Sequence, residues 1–270
     1  MTSEKKFLPI GEQNPAINRI KGIINNSKPN PEKLFVAEGI WIHKLILNSN
    51  LRIASFVVCE DFAKSDEIKH IIDEMSKRAE DLYTVSTKTF LKLSERDNPD
   101  GLLCLAGLPK FDANDFKPTA KSTILVIDGV EIPGNVGTML RMADGAGVQA
   151  VFMPNRKVRL THPKLIKGSQ GAILTVPIYE FEDVDACYRL LKAKGFTVYL
   201  ADTRATKTYY ETKYAKRTAI VVGSERYGIA RRWYDFDTEM VSIPMLGKCD
   251  SLNVGTAATV LVYEAAVKNI

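Results

Sequence analysis

Four short stretches constrain this chain more than anything else in it: TILVID (123–128), QAVFMP (149–154), FTVYLAD (196–202) and TAIVVGSE (218–225). Each is a near-continuous apolar run. A strand with one wet face alternates apolar and polar residues, whereas a strand covered on both faces does not. Amphipathic segments separate these runs, among them DVDACYRLLKAKG (183–195), which closes on Gly195 as a C-terminal cap. The pattern predicts an α/β fold, a mostly parallel sheet with helices on both faces. A last strand is expected at VSIPM (241–245), with a final helix after it. Ligands of such sheets collect beyond the carboxyl ends of the strands.

A smaller α/β layer is expected upstream. NPAINRIKGIINNS (14–27) opens with Asn14 as a cap and Pro15 at the first helical position. FVAEGIWIHKLILNSN (35–50) carries Ile40, Trp41, Leu45 and Ile46 at helical spacing, with Gly39 marking the start. IASFVVCE (53–60), DLYTVS (81–86) and GLLCLAGLP (101–109) read as strands. SDEIKHIIDEMSKRA (65–79) reads as a capped helix and TFLKLSE (89–95) as a short one. Between Lys110 and Ser122 the periodicity lapses into polar residues. The expected organisation is a domain at 1–108, a linker at 109–122 and a second domain at 123–270.

Composition narrows the class. No apolar run approaches the roughly 20 residues of a membrane span, and the first residues carry charge without the apolar core of a secretion signal. Cys59, Cys104, Cys187 and Cys249 are scattered with no CxxC pair, the pattern of reduced thiols in a cytoplasmic protein without a metal site. The net charge of +5 makes nucleic acid one candidate partner.

Three stretches fall at strand ends and hold the chemistry. In IDGVEIPGNVGTMLRMADGAG, Gly134 and Gly137 suit a tight turn, and Arg141 stands six residues beyond Asn135. The glycine spacing matches neither a dinucleotide fingerprint nor a P-loop. In VVGSERYG, Ser224 and Glu225 sit between Gly223 and Gly228. In VSIPMLGKCDSLNV, Ser251 or Asn253 caps the last helix. Read singly, each has a structural explanation: a glycine turn, a solvated arginine, a helix cap. The basic run NRKVRLTHPKLIKGSQG (155–171), with Arg156, Lys157, Arg159, Lys164 and Lys167, fits RNA phosphates and a solvated loop alike.

Taken together and in order, Asn135-x-Gly137-x-x-x-Arg141, Gly223-Ser224-Glu225-x-x-Gly228, and Ile243-Pro244-Met245 with Ser251-Leu252-Asn253-Val254 resemble the three motifs of the SpoU (TrmH-like) class of SPOUT RNA methyltransferases. The resemblance covers about residues 122–268. FVAEGIWIHKLILNSN and NPDGLLCLA resemble that class's substrate-binding domain, which is similar in fold to ribosomal protein L30e. The resemblance implies methyl transfer from S-adenosylmethionine to a ribose 2′-hydroxyl of structured RNA, by a homodimer whose catalytic domain is tied in a trefoil knot. It implies cofactor contacts from Gly223, Ile243, Met245, Leu252, Leu200 and Ala201. Asn135, Arg141, Glu225, Ser251 and Asn253 would surround the target ribose. Arg141 is expected to act as an electrostatic clamp, because a guanidinium is effectively never deprotonated in proteins. The L30e-like domain favours 23S ribosomal RNA; the alternatives are transfer RNA, or an RNA-binding or ribosome-assembly protein without turnover.

Overall fold

The computed structural model describes residues 5–27 and 29–268; the charged start at residues 1–4 lies outside them. The chain divides into two compact units, Met1–Pro109 with Thr161–Pro163, and Lys110–Leu160 with Lys164–Ile270.

The first unit runs β1 (Leu8–Pro9), α1 (Pro15–Ile24), β2 (Leu34–Glu38), α2 (Ile40–Leu47), β3 (Ile53–Val58), α3 (Asp66–Arg78), β4 (Asp81–Thr84), α4 (Thr87–Leu91) and β5 (Leu102–Gly107). Its strands pair in the order β1-β4-β3-β5-β2. The helix starts are chemically marked: Asn14 accepts from Ala16 N, and Ser65 accepts from Ile68 N at 3.2 Å, each cap worth about 1 kcal/mol. β2 is a strand the sequence pattern missed. Phe35, Val36 and Ala37 precede Gly39 and pair antiparallel with β5, so the helix starts only at Ile40.

His43 on α2 is fully buried. Its Nδ1 lies 2.7 Å from Gly39 O, while Nε2 has no partner among the described residues and the ring packs on Phe56. Burial pushes its pKa down from 6.5 to about 4. A folded pKa below the unfolded one means that the unfolded chain binds the proton more tightly. The unit is therefore expected to lose about 3 kcal/mol as pH falls from 6.5 to 4. Urea midpoints of wild type and His43→Leu across that window check this; parallel pH profiles would contradict it.

The second unit runs β6 (Ser122–Ile127), α5 (Pro133–Gly145), β7 (Ala150–Met153), α6 (Pro163–Ser169), α7 (Ala172–Thr175), β8 (Ile178–Glu180), α8 (Val184–Ala193), β9 (Thr197–Ala201), β10 (Arg217–Val222), β11 (Glu239–Val241) and α9 (Val254–Lys268). All six strands are parallel, in the order β11-β9-β10-β6-β7-β8. Period-two alternation divides the core. Ile124, Val126, Ala219 and Val221 join the side covered by α8, while Leu125, Ile127, Ile220 and Val222 are buried on the other face, where α9 packs. Both faces are covered, which is why these strands read as unbroken apolar runs.

Two expectations need correction. The last strand is Glu239–Val241, not 241–245, because Pro244 cannot donate to a ladder and the chain leaves the sheet after one bridge from Ser242 to Thr208. Gly134 and Gly137 lie inside α5 rather than in a turn. A Cβ on Gly137 would stand 2.5 Å from Leu165 O and 3.0 Å from Gly168 Cα, so that glycine permits close approach of α6. Within the linker stretch 109–122, Phe116 is buried against Phe152, Tyr179 and Phe196 in the second unit's core.

Candidate active site

The ends of β9, β10 and β11, with the start of α9, enclose a cavity of about 950 Å³. Its lining is mixed: apolar Val222, Ile229, Val241, Ile243 and Leu261 stand beside polar Asp202, Ser242, Ser224, Glu225, Ser251 and Asn253. The GSERYG stretch is a closed loop and not a helix cap. Ser224 N donates to Gly228 O at 2.9 Å, Gly228 N returns to Ser224 O at 3.0 Å, and Tyr227 N donates to Ser224 Oγ at 3.0 Å. Gly228 has φ +68°, a left-handed conformation glycine adopts without strain. Gly223 lies so close beneath this loop that a Cβ there would overlap the backbone of Gly228 and Ile229.

Three motifs, from the first turn of α5, the loop after β10 and the cap of α9, meet in one hydrogen-bonded chain. Asn253 caps α9, its Oδ1 accepting from Gly255 N at 2.9 Å. Asn253 Nδ2 donates to Asn135 Oδ1 at 3.3 Å, and Asn135 Nδ2 donates to Glu225 Oε1 at 2.6 Å. Glu225 Oε2 accepts from Glu131 N at 3.4 Å. Each amide has both its ends engaged, so the chain fixes which way Asn135 and Asn253 face.

A second polar group lines the same cavity. Asp202, at the end of β9, accepts from Arg204 N at 2.8 Å, Arg204 Nε at 3.0 Å, Arg204 Nη2 at 2.7 Å and Tyr234 Oη at 2.5 Å. The Arg204 guanidinium holds the Asp202 carboxyl well below the usual carboxylate range. Burial, then the bond to Asp202, pushes Tyr234 up to about 12.

Behind the cavity, Asp128 is 2% exposed and accepts from Asn155 Nδ2 at 2.8 Å, Ala230 N at 2.8 Å and Trp233 Nε1 at 3.1 Å. It ties the end of β6 to the loop carrying Ile229 and Arg231. Asp128→Ala would strand three donors, two of them on the fully buried Trp233 and the adjoining Ala230, at an expected cost of about 3 kcal/mol or more. Chemical denaturation measures this, and a loss under 1 kcal/mol would show that the donors find other partners.

The residues expected from sequence separate clearly. Gly223, Ile243, Met245, Leu252 and Ala201 line the cavity together with Glu225, Ser251 and Asn253. Leu200 does not: it is fully buried in the core with Val198, because adjacent strand residues face opposite ways. Asn135 joins through its hydrogen bonds. Arg141 lies six residues further along α5, roughly 9 Å up the axis and about 240° around it. It is exposed, off the cavity, and has no partner among the described residues. In the basic run, Arg156 is paired with Glu180 and also donates to Val158 O, so it braces its own loop. Lys157, Arg159, Lys164 and Lys167 are exposed. Sequence reasoning missed Asp202, Arg204 and Tyr234; the signal was an acidic residue at a strand's carboxyl end, as at Asp128. All four cysteines are free, three of them buried. Among the described residues there is no metal-ligand cluster and no helix long and apolar enough to cross a membrane.

Residues 122–263 match the SpoU rRNA Methylase family, and residues 14–104 match the MRM3-like substrate binding domain. The chain is 35% identical over 142 residues to the 23S rRNA (guanosine-2'-O-)-methyltransferase RlmB of Pectobacterium atrosepticum, covering 53% of this chain and 58% of that protein. It is 32% identical over 205 residues to a TrmH family tRNA/rRNA methyltransferase of Staphylococcus aureus, covering 73% and 83%. A crystal structure of an RNA 2'-O ribose methyltransferase superposes with a TM-score of 0.81 at 29% identity, over 97% of this chain and 99% of that one. The chain belongs to the SpoU rRNA Methylase family: it is an S-adenosylmethionine-dependent RNA methyltransferase with a separate substrate-binding domain ahead of its catalytic one.

Proposed function

We propose that this protein methylates a ribose 2′-hydroxyl in 23S ribosomal RNA, acting in the cytoplasm as a homodimer with a trefoil-knotted catalytic domain. The observation that carries the reading is the Asn253–Asn135–Glu225 chain, which draws three distant motifs to the mouth of one cavity. The cavity fits S-adenosylmethionine. Its volume of about 950 Å³ is ample for a nucleoside-sized ligand, its apolar residues Val222, Ile229, Ile243 and Leu261 suit a flat base, and the Gly223 cradle brings backbone atoms close. The cofactor would supply an electrophilic methyl group and be left as a neutral thioether, and the proton displaced from the 2′-hydroxyl would pass to solvent.

The chain's own residues orient and stabilise. Asn135 and Asn253, fixed by their hydrogen bonds, present the ribose edge to the cavity, and Glu225 anchors Asn135. Arg141 stays protonated, holds an RNA phosphate and stabilises the negative charge growing on the 2′-oxygen. Its position off its own cavity supports a site completed by a second copy, as do the exposed apolar side chains of Ile132, Leu246, Tyr263 and Val267.

Ribosomal RNA is favoured by the first unit and by the relative named for 23S rRNA; transfer RNA is the second reading, because the S. aureus relative's name includes it. Transfer of tritiated methyl to purified 23S rRNA and, separately, to total tRNA decides between them. Label in 23S rRNA that is resistant to alkali at one nucleotide supports the proposal. Label only in tRNA keeps the chemistry and replaces the substrate, and label in neither overturns both.

A further inference from the structure

We infer that Arg204 and Arg231 form a two-pronged phosphodiester grip at the mouth of the cavity, positioning the RNA backbone beside the target ribose. The inference rests on the RNA-methyltransferase reading of this cavity and adds to it a binding role for residues outside the three motifs. Both arginines line the cavity.

Arg204 is held unusually firmly for an exposed side chain. Its side chain is 76% exposed, whereas that of its partner Asp202 is 6% exposed. Two of its N–H groups, on Nε and Nη2, are committed to the two oxygens of Asp202. A guanidinium has five such donors, so three remain, including both on Nη1. Its face also lies over Tyr234, 5.6 Å from the ring centroid, and Tyr234 itself bonds to Asp202. A buried carboxylate and a tyrosine thus hold an exposed cation in one orientation with three of its five donors spare. Asp202 would keep the bonds from Tyr234 Oη and the Arg204 backbone N–H if the guanidinium were removed. A planar fork fixed in advance loses little freedom on gripping an oxyanion.

Arg231 stands on the turn that follows Ala230. It is exposed and has no hydrogen-bond or ion-pair partner among the described residues. Its backbone is anchored on both sides, by Ala230 N and Trp233 Nε1 on buried Asp128. A buried carboxylate at the end of β9 therefore orients the Arg204 guanidinium, and another at the end of β6 anchors the segment that carries Arg231; both arginines line the cavity. The oxyanion they meet could be the cofactor's carboxylate or a phosphate of the RNA. The high exposure of Arg204 places the grip at the mouth, where substrate passes, and so favours the phosphate.

The test uses the full-length protein and the variants Arg204→Gln, Arg231→Gln and Arg204→Lys. Affinity for purified 23S rRNA is measured against salt concentration, and S-adenosylmethionine affinity by calorimetry. Each glutamine variant is expected to weaken RNA binding on the order of tenfold and to flatten the log–log salt slope by about 0.7–0.9, one phosphate contact each. Arg204→Lys keeps the slope and loses part of the affinity. Cofactor affinity stays within about twofold. A tenfold loss of cofactor affinity with an unchanged RNA slope would assign the grip to the cofactor carboxylate and overturn the proposal. Unchanged RNA and cofactor binding with a lowered melting temperature would reduce Arg204 to a structural pair. Because the slope is read without turnover, the two ideas fail separately. A wild type that binds RNA with the expected slope changes but transfers no methyl loses the proposed function, not the grip.

Discussion

Gly223→Ala is expected to abolish measurable cofactor binding, a loss on the order of 100-fold or more. The reason is local and steric. The Cβ would overlap the carbonyl carbon and oxygen of Gly228 and the nitrogen of Ile229, all backbone atoms. A flexible side chain could step aside; a peptide group held by the reciprocal Ser224–Gly228 bonds cannot. The loop must open, and with it the cavity wall formed by Gly223, Ser224, Gly228 and Ile229. Overpacking of this kind costs about 1–3 kcal/mol of stability as well. Gly247→Ala is the matched control, since a Cβ there meets nothing within 4 Å. Calorimetric titration with S-adenosylmethionine reads the result. Binding by Gly223→Ala within about threefold of wild type would mean that the loop relaxes freely and the cradle is not needed.

Arg141→Ala is expected to lower methyl transfer by about 10²–10³-fold, the usual effect of deleting a charge-stabilising donor. Its melting temperature should not move, because the residue is exposed and makes no bond among the described residues. That contrast separates it from Asp128→Ala, which loses stability first. Arg141→Lys discriminates between roles: if lysine recovers wild-type rates at high pH, a proton-accepting role gains and the clamp loses. Placement in trans has its own signature. When Arg141→Ala and Glu225→Gln subunits are mixed and allowed to exchange, half the dimers are mixed. Each of those regains one of two sites, so about a quarter of wild-type activity returns for a twofold-symmetric pair. No recovery on confirmed exchange would place Arg141 and Glu225 in the same site of one chain.

The site was legible in the sequence to the extent that its residues sit next to distinctive neighbours. Gly223, Glu225 and Asn253 carry punctuation that turn and cap chemistry makes visible, and the structure finds each at the cavity. Of the expected pair Leu200 and Ala201, the Leu200 side chain lies in the core and Ala201 lines the cavity, since an apolar run on a doubly covered strand does not announce which side chains face the core and which end at the opening. β2 was absorbed into the helix that follows it because FVAE is too short to show a period of its own. Asp202 and Arg204 were missed for a different reason: two residues apart in a polar loop, they resemble any solvated pair until Tyr234, thirty positions later, closes on them.

The amino-acid sequence by itself determined that the second unit is a parallel sheet buried on both faces, and that polar loops gather at its carboxyl edge. Both follow from residue type and spacing, which act locally through strand periodicity, capping and turn geometry. Tertiary structure alone decided that Asn253 reaches Asn135 across 118 positions and that Asn135 reaches Glu225 across 90. Hydrogen bonds of that span depend on strand order and on how α9 packs over α5, and no local pattern encodes either.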